Sequence, residues 1–496
     1  MNTLTRRGFL AAGAAVLASA HLPRAALAQA SPLALTASTR TLDIGGRAAT
    51  VFGLAGPNGQ GLTLDPGQRF RVDLTNDLDV ATIIHWHGQI PPNAQDGVPD
   101  LPMPLLSPGE TRSYDFAALP GTYWMHSHVP IQEMQLLAAP LIVRSPEDLR
   151  ADRQEVVLFL HDFSFKSPEE VLAEIGAGAG AGHGAGHGAG SGTPGMQGMG
   201  MMPGMNHGGM GNMPMGGMMD MGGMAMDLND YDWDAYLAND RTISDPEVVQ
   251  VERGGRVRLR VINAAAATVF WIDTGAAPAR LIAVDGHPVQ PLSGTRFGLA
   301  MGQRLDLEID LPAEGGAWPI LALREGARER TGLILATRGA EVRRIESMAE
   351  SAAPAFDTDL AQEARLVARD PLPDRAVDRS QILMLGGSMQ PYVWTINGAV
   401  WGDHLPIAAT SGERVVLSFH NMSMMAHPMH LHGHVFQVVG LNGRRIAGAR
   451  RDTIHVPPMS MVEVALDAGE AARWMLHCHH MPHLATGMMT EFAISA

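Results

Sequence analysis

The sequence predicts an all-β protein built from three tandem Greek-key β-sandwiches. Three observations carry this. Short alternating runs bounded by Gly, Pro and Asp dominate, and helical periodicity is scarce. A unit of glycine, alternating strand and asparagine occurs three times: Gly67 to Asn76, Gly254 to Asn263, and Gly412 to Asn421. A second shared segment follows each copy and leads into another alternating run. It reads Ser107-Pro108-Gly109-Glu110-Thr111, then Ala300-Met301-Gly302-Gln303-Arg304, then Pro457-Pro458-Met459-Ser460-Met461. Self-similarity at so long a period means tandem domains rather than a solenoid. A chain of 496 residues also exceeds what one hydrophobic core serves.

In chain order, residues 1–28 read as a targeting segment. Arg6-Arg7 precede a short apolar run, and Ala26-Leu27-Ala28 make an A-x-A site, as in a twin-arginine export signal cleaved after Ala28. The expected location is the periplasm. Residues 31–145 form the first domain, closed by the apolar run Pro140-Leu141-Ile142-Val143. Residues 146–345 form the second, interrupted at 176–226 by a low-complexity insertion. That insertion holds a Gly/Ala run with His183 and His187, then thirteen methionines from Met196 to Met226 with His207 among them. So much Gly cannot bury a core, and thioethers are soft ligands that select Cu(I). Residues 346–377, rich in Ala, Pro and charge, read as a linker, and 378–496 form the third domain.

Charged residues make 18% of the chain and the net charge is −15, which excludes nucleic acid as the main partner. No stretch after the leader is long and apolar enough to span a bilayer. Cys478 is the only cysteine, so no internal disulfide is possible. An exposed thiol would oxidise outside the cytoplasm. A ligand role is therefore favoured.

Cys478 sits in His477-Cys478-His479, with His483 and Met488 just beyond. On a strand, successive side chains point to opposite faces. The sulfur then faces one way and both imidazoles the other, so one strand can serve two metal centres. Two His, one Cys and a weak axial Met make a blue-copper site, with His427 as the second imidazole. Three further clusters match this one: His85-Trp86-His87-Gly88, His126-Ser127-His128, and His427-Pro428-Met429-His430-Leu431-His432-Gly433-His434. Pairs at i, i+2 share a strand face and can grip one metal cluster. Two pairs near each end of the chain imply that the third domain packs back on the first, with metal at the seam.

These four clusters, present in order across essentially the whole mature chain, resemble those of the multicopper oxidases: laccases, ascorbate oxidases and copper-tolerance oxidases. The resemblance implies three cupredoxin-like domains and four coppers. It places type 1 copper on His427, Cys478, His483 and Met488, and type 2 copper on His85 and His430. One type 3 copper falls to His87, His126 and His479, the other to His128, His432 and His477. It implies one-electron oxidation of a substrate at type 1 copper, with Cys478 as conduit, and reduction of O2 to water at the other three. Asp96 matches the acid that orients solvent near type 2 copper. Leu484 departs from the pattern, because many bacterial relatives carry a proton-relay Glu there. His434 and His480 match no ligand position and read as neighbours or surface residues.

Met424 and Met425 stand just before His427, where a soft cation can dock. With the export signal and the Met-rich insertion, they point to a cuprous oxidase of copper tolerance. The alternatives are a general laccase acting on phenols and aromatic amines, and, from another class, a copper carrier or storage protein.

Overall fold

The computed structural model describes residues 31–178 and 228–496. The leader and nearly all of the Met-rich insertion lie outside the described residues. The regular structure described is mostly β-strand, with a few short helices, and is arranged as three successive pairs of facing sheets. The first pair has five and four strands, the second six and five, the third seven and five.

The repeated sequence units occupy equivalent places in all three. Strands Phe70–Asn76, Arg256–Asn263 and Arg414–Asn421 each lie parallel to the opening strand of their unit: Leu33–Ile44, Gln154–Phe163 and Arg379–Met389. On the other side each pairs antiparallel with the strand that the second repeat introduces: Thr111–Phe116, Arg304–Asp310 and Met461–Asp467. Alternation puts one face of these strands into a core. Phe70, Val72 and Leu74 are fully buried, and so are Leu259 and Val261 and the pair Val415 and Leu417.

The recurring asparagine is a structural pin. The Asn76 side-chain amide donates to the carbonyls of Val80 and Leu106, both at 2.9 Å. Asn263 does the same to Thr268 and Leu299, and Asn421 to Met425 and Val456. One buried amide thus satisfies carbonyls that the ends of two strands would otherwise leave unpaired. The turn of the second repeat needs positive φ at its third residue, which is Gly109 (77°), Gly302 (79°) and, in the last copy, Met459 (55°).

Residues 338–378 hold no strand, but they are packed. Phe356, Leu360 and Leu366 are buried, and single bridges tie the segment to the second unit at Glu325↔Ala353 and Val289↔Ala368. The stretch read as a linker is a strap fastened across the second and third units. Beneath it Glu325 is buried, with Oε1 accepting from the Phe356 N–H at 2.5 Å.

Burial pushes the Glu325 carboxyl up to about 8, against that hydrogen bond. The folded chain therefore keeps a proton that the unfolded chain releases near pH ~4.3. This contribution is complete below that pH and is lost as pH rises through about 8. Glu325→Gln keeps an acceptor for Phe356 and removes the proton. The thermal midpoint of the variant should fall less than that of the parent between pH 5 and pH 8, roughly the interval between the two pKa values.

Candidate metal centre

Four short strands bring the histidines together. Ile84–His87 pairs with Gly121–Ser127, setting His85 opposite His126. His427–Leu431 pairs with Arg473–Cys478, setting His430 opposite His477 and Met429 opposite Cys478. The two ends of the chain meet at these strands. The His85 ring stacks on His432 with centroids 3.7 Å apart, and His87 stacks on His430 at 3.8 Å. His85 Nε2 lies 3.4 Å from His430 Nε2, His87 Nδ1 lies 3.4 Å from His126 Nε2, and His432 Nε2 lies 3.1 Å from His477 Nε2. The ligand atoms of His87, His126 and His479 lie within 4.8 Å of one another. So do those of His128, His432 and His477, and those of His85, His87 and His430.

Cys478 turns to the opposite face. Its Sγ is 3.8 Å from His427 Nδ1 and 3.6 Å from His483 Nδ1, and those nitrogens are 3.2 Å apart. Met488 is buried beside them, and its carbonyl accepts the Cys478 N–H at 3.0 Å. The split that strand alternation predicts for His477, Cys478 and His479 is therefore present.

Burial holds His87, His128, His432, His477, His479 and His427 well below the ordinary imidazole pKa. The rings are neutral, with a lone pair to give. For most of them the second nitrogen is held by the protein. His85 Nδ1 faces the Asp96 carbonyl at 2.8 Å, His430 Nδ1 the Asp452 carbonyl at 2.9 Å, and His432 Nδ1 the Asp96 Oδ2 at 2.8 Å. His427 Nε2 faces Ser423 Oγ at 2.8 Å. Buried Nε2 atoms of His128 and His479 have no hydrogen-bond partner. Burial also pushes the Cys478 thiol up, so a thiolate requires a cation beside it. Neutral imidazoles with anchored far sides, orphaned near-side nitrogens and a buried sulfur are a donor set that fits copper.

Comparison with known proteins agrees. Residues 41–148, 205–339 and 374–496 each match a family profile described as multicopper oxidase. The chain belongs to the multicopper oxidase family. The oxidase is 31% identical to multicopper oxidase MmcO of Mycobacterium tuberculosis, over 98% of this chain and 96% of that one. It is 26% identical to copper resistance protein A of Escherichia coli, over 96% and 94%. Its fold matches Fet3p, a multicopper oxidase that functions in iron import, with a TM-score of 0.72, 15% identity and coverage of 93% and 90%.

Three acids of the oxidase, unpaired in sequence with any motif, sit against the histidines. Asp452 Oδ1 is 3.1 Å from His87 Nε2, and its carboxylate takes both terminal nitrogens of Arg304, at 2.7 and 2.5 Å. Burial opposes the Asp452 charge, but Arg304, His430 and His87 hold its pKa well below the usual carboxylate range. Arg304 comes from the second unit and also donates to the Thr122 carbonyl of the first, so one guanidinium ties three units at the cluster. Gly88 is required here: its φ is +83°, and a Cβ would sit 2.4 Å from the Arg304 guanidinium. Glu133, on the turn Pro130–Glu133, has Oε2 2.7 Å from His126 Nδ1 and Oε1 3.8 Å from His479 Nδ1. Asp230 is buried with Oδ2 3.5 Å from His483 Nε2, and it accepts the Tyr392 hydroxyl.

Asp96 bridges His85 and His432, from opposite ends of the chain. Leu484 is buried in the helix Met481–Ala485. His434 and His480 are neighbours and not surface residues: both are buried, and His480 stacks on His483 at 3.8 Å. Met425 is buried and Met424 half exposed, and both line a small cavity with His480, His455 and Glu325.

Asp452→Asn removes the carboxylate that takes both terminal nitrogens of the buried Arg304 and leaves only Asp285, 3.9 Å away, to face its charge. Breaking such a pair from one side costs about 3–5 kcal/mol. Denaturant unfolding should show a loss of that order, whereas Asp73→Asn, on a part-exposed strand face, should lie within about 0.5 kcal/mol of the parent.

Proposed function

We propose that this oxidase takes single electrons from a reducing substrate at a type 1 copper and delivers four of them to O2, and that its substrate is Cu(I). The observation behind the reading is the split of His477-Cys478-His479 between two groups of donors. When bound, copper supplies the electron transfer and the O2 chemistry. His427, Cys478, His483 and Met488 would hold type 1 copper, and His85 and His430 type 2. His87, His126 and His479 would hold one type 3 copper, and His128, His432 and His477 the other.

The residues around these ligands have separate tasks. Cys478 joins the two centres through its own backbone, since its neighbours in sequence belong to the second. Asp96 orients His85 and His432 together: Oδ2 faces His432 Nδ1, and Oδ1, which has no hydrogen-bond partner, lies 3.4 Å from His85 Nδ1. Glu133 faces two ring nitrogens from the first and third units. It supplies, from a different element, a carboxylate on the side of the cluster where Leu484 offers none. Carboxylates behind ligating histidines fix ring orientation and raise ligand basicity. Glu133→Ala should loosen copper by 10–100-fold, in the range of such outer partners, measured as copper retained against a chelator.

The cuprous reading is supported by the surroundings of His483. Its ring is wholly buried, packed on Trp394 at 4.1 Å between centroids and backed by Asp230. A phenol finds no open ring edge there. A small ion can reach Met424 and Met425, and His427 stands two residues beyond the second. Export to the periplasm fits the same task. The laccase reading has its own support in sequence: Laccase-2 of Botryotinia fuckeliana is 24% identical over 93% of this chain.

Deleting residues 195–226 should lower kcat/KM for Cu(I) several-fold while leaving that for a phenol unchanged, and equal losses would favour the laccase. Cys478→Ser should abolish the blue absorption band and turnover with the fold retained by circular dichroism. Oxygen uptake by the copper-loaded protein, on adding Cu(I) or a phenol, separates either oxidase from a copper carrier.

A further inference from the structure

The outer face of the seven-stranded sheet carries a row of soft donors that the chemistry above does not use. Met384 on Arg379–Met389 is in register with His420 on Arg414–Asn421, and His420 is in register with Met461 on Met461–Asp467. In-register residues on adjacent strands project to one face. The preceding row, Leu383, Phe419 and Val462, is buried in the core. The Met384 row therefore points outward, and Met384 is 39% exposed.

Two thioethers thus flank one imidazole across three strands spaced about 4.8 Å apart. Ser418 Oγ lies 3.0 Å from His420 Nε2 and fixes the ring, leaving Nδ1 without a protein partner among the described residues. Met422, two residues beyond His420, is 59% exposed, and its N–H is held by the Leu385 carbonyl at 2.9 Å. Methionine normally fills core gaps. Single exposed apolar side chains need no explanation, but an imidazole set between two thioethers in register is a donor arrangement. The row itself holds no carboxylate: Glu463, in register with Ser418 two residues along on the same face, turns its Oε2 over Gly440 on the neighbouring strand. Against the imidazole stands the neutral Ser418 hydroxyl, a weak oxygen ligand for a hard divalent ion. A monovalent soft ion finds two sulfurs and a nitrogen, the set that selects Cu(I).

We propose that Met384, His420 and Met461 form a surface binding site for a monovalent soft cation, Cu(I), with Met422 at its edge. Met424 and Met425 line instead the small cavity with His480 and His455. Strand Arg414–Asn421 runs from the surface site directly into the loop that ends at His427, so the site stands at the head of the segment delivering a type 1 ligand. Its use as a receiving point for substrate rests on the cuprous reading; the binding itself does not.

The test is Ag(I), which is redox-inert, titrated into fully reduced holoenzyme carrying 13C-labelled methionine methyls. Met384→Leu and Met461→Leu assign the two signals. Both signals should shift together at one Ag(I) stoichiometry in the parent. His420→Gln should weaken that joint response at least tenfold, with the remaining methyl spectrum unchanged. Signals that move at different stoichiometries, or a His420→Gln protein that titrates like the parent, overturn the site. A parent that binds Ag(I) here but fails to oxidise Cu(I) sinks the cuprous reading and leaves the site standing.

Discussion

The molecule depends on the alternation of side chains along one strand. Arg473–Cys478 and the residue after it send His477 and His479 one way and Cys478 the other. No other spacing puts a sulfur in one donor group and its two sequence neighbours in another, with only backbone between them. The three sandwiches serve that strand. The third supplies its hydrogen-bonded neighbours, and the first supplies the facing histidines. The second reaches the cluster through Arg304.

Burial then decides the electrostatics. The eight seam histidines have almost no contact with water, so their outer nitrogens must be satisfied by the protein. Asp96, Asp452 and Glu133 stand behind these rings. The carboxylates in turn need positive charge in a dry environment, and Arg304 answers Asp452 with two hydrogen bonds. Removing water from the ligands forces a chain of partners that ends in a different sandwich.

Much of this was legible in the sequence. The Gly–strand–Asn repeat announced three like units because the same asparagine does the same hydrogen-bonding work in each. The histidine pairs were legible because period-two spacing is itself a geometric statement. Glu133, Asp230 and Asp452 were not. Each is a lone acid outside the histidine motifs, and no local pattern distinguishes it from a surface carboxylate: Glu133 meets His479, Asp230 meets His483 and Asp452 meets His87 only across hundreds of residues. The packing of 346–377 was not legible for a related reason: its composition is that of a linker, and only the folded structure shows that Phe356 and Leu360 are core residues.

The seam closes over its own contents. Donors from near both ends of the chain are stacked ring on ring, with no opening around any of the eight imidazoles wide enough to leave them wet. Each of the three histidine groups at the seam draws on both the first and the last sandwich, so neither sandwich holds a complete set alone. A chain lacking its final two dozen residues loses His477, Cys478, His479, His483 and Met488 together.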